Sequence, residues 1–361
     1  MHISSFVERL DSPALDELRK ELAKLAPSLE KPAAWPAEQL KLCARAGVYR
    51  WFIPVESGGL GWNEEEKTRG YLLLARSCLT TTFVITQLMG AIRRVAGSAN
   101  VALAAEWLQP LLAGQRFATV GISHLTTSRQ HLNRPALRAQ QERDHYVLDG
   151  YCPWVTGGSQ ADGLVVGATL DDGRELLAMV PTETPGVKPF PGASLLALSA
   201  SRTDKVEFER VVVTAEMIIA GPINDVMSAG QGAGTGGLQT STLAIGLCGA
   251  ALDFLREEAT RRTDLSVVAE SLEQQVVGLE SELLEFAAGR PGCDPADLRG
   301  RANRLVLRVT QAALTASKGA GFVSGHPAGR WCREAMFFLV WSCPQPVSQA
   351  HLCELAGLPV D

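Results

Sequence analysis

At about Phe117 the apolar residues of this chain stop recurring every three to four positions and begin to alternate; beyond Gly237 they revert. Helical spacing and strand spacing are different periods, so this double switch requires helices, then a sheet, then helices again. A chain of 361 residues is long for one core and suits two or three.

The first third carries explicit helix punctuation. Ser12 is placed to cap, Pro13 suits the first helical position, and Asp16 and Glu17 face the positive end of the helix dipole. Leu15, Leu18, Leu22 and Leu25 make one apolar stripe. A second helix spans Ala37 to Ala46 and stops at Gly47. PVESGGLG (54–61) is a turn-rich break, and Asn63 before three glutamates restarts a helix through Leu74. Val101 to Leu112, stopped by Gly114, is another.

From Phe117, five short segments rich in β-branched residues are separated by Gly, Asp or Pro: 117–123, 145–149, 164–169, 175–180 and 205–213. They predict an antiparallel barrel or sandwich. The tract SAGQGAGTGG (228–237) reads as a linker; it lacks the lysine and the strand-to-helix setting of a phosphate loop. After it, helical spacing covers 238–261, 269–288, 295–318 and a last segment from Ala328, which predicts a four-helix bundle. The organisation is therefore α+β: helical residues 1–115, a β-domain at 116–222, and a helical bundle at 223–361.

Composition narrows the function. A net charge of −5 and a pI near 5.8 argue against a nucleic-acid partner, which needs a basic face. The N-terminus MHISSFVERLDSP has no apolar leader core, and no uninterrupted apolar run is long enough to span a bilayer. A cytoplasmic protein without membrane contact is expected. Eight scattered cysteines, with no closely spaced pair and no histidines at ligand spacing, predict free buried thiols and no metal centre.

The local motifs in this order resemble the acyl-CoA dehydrogenase superfamily along essentially the whole chain. Ala46-Gly47 followed by PVESGGLG is similar to that family's "aGv…iPeeyGGlG" segment. WLQPLLAG (107–114) is similar to the helix end preceding its β-domain. Tyr146 to Gly150 with Trp154-Val155-Thr156-Gly157-Gly158 resembles "Y.lnG.K.WiTng", the most specific match. The resemblance implies the acyl-CoA dehydrogenase fold and FAD held between β-domain and bundle. Trp154 would then cover the flavin ring and Thr156 would hydrogen-bond near its reactive edge; the alternatives are a core aromatic and a strand hydroxyl. Ile122 and Ser123 fall at flavin-contacting positions. His124 replaces a family glutamate, and a polar surface residue or an active-site base are its two readings. Arg261 matches an arginine that reaches the flavin of a neighbouring subunit, although Asp264 stands where the family has an aromatic residue. Gly319 belongs to a partly kept glycine turn, or is simply a helix stop.

The chemistry of the family needs a carboxylate to take the α-proton while the β-hydride passes to the flavin. Arg330, Arg333, Glu334 and Ala335 match the start of the motif that carries it, and counting on puts the base at Ser342, followed by Cys343-Pro344. The other family location reads Leu238-Gln239-Thr240. Neither holds a carboxylate. Cys343 serves as a base or nucleophile only as thiolate, and His351 with Glu354 shares a helix face as a surface pair would. The resemblance therefore implies a flavin-dependent oxidoreductase acting on an acyl-CoA or acyl-carrier thioester, with an unidentified base. It also implies a homodimer or homotetramer and an electron-transfer flavoprotein as acceptor. Two alternatives remain open: a flavin-dependent monooxygenase of the same fold, and a catalytically silent binding subunit.

Overall fold

The structure, a computed structural model, describes residues 6–126, 135–228, 237–290, 292 and 294–359. Thr127 to Gln130, residues 229–236 of the glycine tract and Cys293 lie outside the described residues.

Helix α1 (Pro13–Leu25) starts where its punctuation places it, with the Ser12 hydroxyl accepting from the Ala14 N–H at 3.3 Å. Its leucines Leu15, Leu18 and Leu22 are buried. α2 (Ala37–Arg45) runs into Gly47 at φ 77°, a left-handed turn that favours glycine. α3 (Glu64–Ser77) opens on a reciprocal capping box: Asn63 Oδ1 accepts from the Glu66 N–H, and Glu66 Oε2 accepts from the Asn63 N–H, both at 2.9 Å. α4 (Leu79–Ala96) gave no separate signal in the sequence, and it is the most deeply placed helix of this half. It is buried nearly all round and has no side-chain cap, so neither a broad charged face nor a capping residue marks it. Its Thr82 and Thr86 hydroxyls return to the Cys78 and Phe83 carbonyls at 2.8 and 2.6 Å, which lets β-branched polar residues sit inside a core helix. α5 (Val101–Leu112) is capped by Asn100.

The middle of the chain forms one sheet. Its strands are β1 (Ala118–Gly121), β2 (Leu137–Glu142), β3 (His145–Val155), β4 (Gly163–Leu170), β5 (Glu175–Pro181), β6 (Val187–Pro189), β7 (Asp204–Thr214) and β8 (Ile218–Ile223). The short helix α6 (Ser123–Thr126) follows β1 directly. The spatial order is β6-β7-β3-β2-β4-β5-β8, with β1 also on β4. The sheet is mixed and not wholly antiparallel as expected: β1 and β2 both pair with β4 in parallel. The chain has to cross over between these strands, which hairpin-type turn signals do not reveal. β2, β6 and β8 add to the five expected strands; β2 carries only two inward residues and β6 is three residues long, too little for alternation to show.

The last part is helical again, with α7 (Gly237–Arg261), α8 (Ser266–Ala287), α9 (Pro295–Ser317), α10 (Pro327–Ala335) and α11 (Gln345–Leu355). α7 is the hub, packed on α3, α8 and α9. It is long and apolar enough to cross a membrane, yet 78% of its apolar window is buried inside the protein. Gly246 makes its closest approach to α3: a Cβ there would lie 2.7 Å from Ala75 Cβ and 2.8 Å from the Leu72 carbonyl oxygen. One apolar core runs through both helical parts and the near face of the sheet; a second lies within the sheet itself.

Candidate active site

The end of β3 supplies two side chains to a cleft. Strand alternation turns Val155 inward and leaves Trp154 54% exposed. Gly157 then turns at φ 66°, where a Cβ would meet the Trp35 ring at 2.6 Å, and its N–H donates to the Ser201 carbonyl at 2.8 Å. This turn fixes the buried Thr156 in place. Its Oγ1 lies 2.9 Å from Thr203 Oγ1, which is 2.8 Å from Ser201 Oγ, so three hydroxyls form a chain. Ile122 and Ser123, where β1 passes into α6, stand beside them; the Ser123 hydroxyl is buried without a hydrogen-bond partner.

Two further walls face this one. α4 contributes Phe83, Gln87, Gly90, Arg93 and Arg94, and the segment after α10 contributes Met336, Phe337, Val340, Trp341 and Ser342. That segment is held from below by Arg299 of α9, whose Nη2 donates to the Phe338 and Trp341 carbonyls at 3.1 and 2.9 Å. Trp341 stacks on Phe337 at 5.2 Å, and both meet Phe83 edge-on at 4.9 Å, so the segment is locked to α4 by aromatic packing. Between the walls lies a cavity of about 550 Å³, within the usual size of a cofactor or substrate site.

Comparison with known proteins agrees with this architecture. No protein-family model matches the chain. The mitochondrial short-chain specific acyl-CoA dehydrogenase of Rattus norvegicus is 24% identical, covering 89% of this chain and 82% of that protein. The structure of glutaryl-CoA dehydrogenase with glutaryl-CoA superposes with a TM-score of 0.78 at 18% identity, covering 97% of this chain and 96% of that one. Dibenzothiophene monooxygenase (TdsC) from Paenibacillus sp. A11-2 does so with 0.73 at 19%, covering 90% and 92%. The chain has the acyl-CoA dehydrogenase fold and is similar in sequence to the acyl-CoA dehydrogenase superfamily.

The residues nominated by resemblance to that superfamily separate into two groups. Ile122, Ser123, Trp154, Thr156 and Ser342 line the one cavity. Arg261 and Gly319 do not. Arg261 is an exposed helix end paired with Glu257 at 3.3 Å and Glu258 at 3.7 Å, and Gly319 is exposed with no atom within 4 Å of where a Cβ would be. His124 is not polar surface, as one of its readings had it. It is buried under β4 with Nε2–H donating to the Gly167 carbonyl at 2.8 Å, and burial lowers its pKa below the ordinary value. Its ring does not reach the cavity lining. Cys343 lies outside the lining too; burial pushes its thiol up, only partly opposed by Arg299, which argues against a thiolate. His351 and Glu354 do share a face, 3.8 Å apart, with Arg304 at 3.5 Å from the same carboxylate, on the far helix α11.

The charge in the cavity was missed in the sequence. Among the described residues its lining holds no carboxylate and no histidine, but three arginines: Arg93, Arg94 and Arg333. Arg333 is ion-paired with Glu30. Arg94 is 93% buried, donates once, from Nη1 to the Gly90 carbonyl at 2.9 Å, and its Nη2 has no partner. Burial, and then the neighbouring Arg93, lower its pKa to about 10, so it stays charged at neutral pH. The available signal was MGAIRRVAG (89–97), two adjacent arginines within an apolar helical run.

Proposed function

We propose that this chain is a flavin-dependent oxidoreductase, with FAD as the cofactor and an acyl-CoA or acyl-carrier thioester as the substrate. The observation that supports it is the single cavity into which Ile122, Ser123, Trp154 and Thr156 converge opposite residues 336–342. The fit to a flavin rests on its donor set. A half-exposed indole at the rim suits an aromatic ring system, and the free Ser123 hydroxyl and the Thr156 hydroxyl match a heterocycle edge rich in acceptors. A bound flavin supplies a two-electron hydride acceptor. Thr156 would present its hydroxyl to that edge, oriented by Thr203 and Ser201, and Trp154 would limit water at the rim. The apolar wall of Phe83, Val120, Phe337 and Val340 would receive an acyl chain.

On this reading the reaction is α,β-desaturation of the thioester. With Ser342 at the family's base position, no lining side chain among the described residues is an ordinary proton acceptor. A second reading draws on the same observation: a monooxygenase of this fold needs no α-proton acceptor. A homodimer or homotetramer, an electron-transfer flavoprotein as acceptor and a cytoplasmic location belong to the first proposal. The test is anaerobic titration of the flavin-loaded protein with acyl-CoA and acyl-carrier thioesters. Loss of the flavin's visible absorbance supports desaturation. No bleaching, with oxygen-dependent product from the reduced protein, gives the second reading.

A further inference from the structure

Arg94 is a charge without a counter-charge. Its guanidinium is 93% buried at the C-terminal end of α4, and its Nη2 is bonded to nothing. The charged neighbour that acts on it is Arg93, which has the same sign. Gly90, one turn back, packs closely beside it: a Cβ there would sit 3.7 Å from Arg94 Nη1 and 3.3 Å from Val120 Cγ1. Both residues line the cavity. A buried cation left unpaired is a large penalty, and folded proteins ordinarily match it with an anion or replace it with an apolar side chain. The matching anion among the described residues is missing, and the unpartnered nitrogen belongs to a side chain lining a space large enough for a ligand.

We propose that Arg94 binds a carboxylate carried by the substrate, so that the preferred substrate is an acyl thioester with a second, anionic end. This deepens the proposed function and rests on it for the thioester, but not for the anion. A guanidinium suits a carboxylate because its planar N–H groups match the two oxygens. Val120, which stands at Gly90 beside the guanidinium, is apolar, and Arg94 itself is almost fully buried, so the interaction is little screened.

The test compares matched ligands on the flavin-loaded protein: succinyl-, glutaryl- and adipoyl-CoA against butyryl-, pentanoyl- and hexanoyl-CoA, with affinities from calorimetry. The wild type is expected to favour one of the carboxylated chains about tenfold or more over its methyl-ended partner. Arg94→Leu should abolish or reverse that preference, and Arg94→Lys should keep part of it. Arg94→Leu removes an unpaired buried charge, so the ligand-free variant should melt no lower than the wild type, and free glutarate should raise the melting temperature of the wild type alone. If no thioester binds but glutarate still stabilises the wild type and not Arg94→Leu, the thioester reading falls and the anion site stands. A preference that persists in Arg94→Leu, or no Arg94-dependent effect of any carboxylate, overturns the proposal. So does an Arg94→Leu variant whose only loss is in flavin affinity, which would assign the guanidinium to the flavin's phosphate.

Discussion

Glu334 gives a pH dependence whose size can be worked out in advance. Its carboxyl is almost fully buried beneath α4, with Thr80 Oγ1 at 3.3 Å and Arg330 Nε at 3.9 Å. Burial pushes its pKa from 4.5 up to about 7; Arg330 and the Thr80 hydrogen bond pull the other way and lose. The folded protein therefore holds this proton more tightly than the unfolded chain. Its contribution is fully present below about pH 4.5 and is lost as pH rises towards 7. At about 1.4 kcal/mol per pH unit, the loss amounts to roughly 3 kcal/mol. Glu334→Gln keeps the shape and a hydrogen-bonding group but cannot ionise. Urea unfolding of both proteins at intervals from pH 5 to pH 8 isolates the effect, because all other groups titrate alike in the two. The wild type should lose stability relative to the variant across that range. Curves that stay parallel would show that Glu334 is ionised throughout and that its pairing with Arg330 outweighs its burial.

Two further substitutions test the frame and the site. Gly246→Val places a side chain where α7 and α3 nearly touch, so it should lower unfolding free energy by about 1–3 kcal/mol or more, read by denaturant melts; an unchanged midpoint would mean the helices pack less closely than described. Thr156→Val keeps the volume and removes one hydroxyl from the Thr156–Thr203–Ser201 chain. It should lower the unfolding free energy by about 1 kcal/mol while slowing flavin reduction by about tenfold or more, and an unaffected rate would remove Thr156 from the site.

The parts of this fold legible in the sequence are those that carry local chemistry. Ser12, Asn63 and Gly47 mark helix ends because caps and left-handed turns demand particular residues, and the Trp154-Val155-Thr156-Gly157 run is legible because only glycine fits the turn against Trp35. α4 escaped for the opposite reason. Buried on nearly every side, rich in threonine and without a capping side chain, it offers no broad charged face and no start signal, and Arg93 and Arg94 stay hidden with it. The parallel pairing of β1 and β2 with β4 is a relation between distant segments, which no turn encodes. Ser342, reached by counting along a motif, lies on the cavity; Arg261 and Gly319, reached in the same way, lie on the surface of this chain, where a residue that serves a neighbouring subunit also stands. Motif position reports which segment is homologous, whereas the role of a side chain depends on what surrounds it.

Flavin binding in the cleft beside Trp154 and Thr156 decides the proposed function. The most direct measurement is the visible absorbance of the purified protein, before and after FAD or FMN is added and the excess removed. Retained flavin at about one per chain is expected, weakened when Trp154→Ala and Thr156→Val are combined. A colourless wild-type protein that takes up neither flavin would contradict it, and would leave a cavity that binds some ligand without redox chemistry.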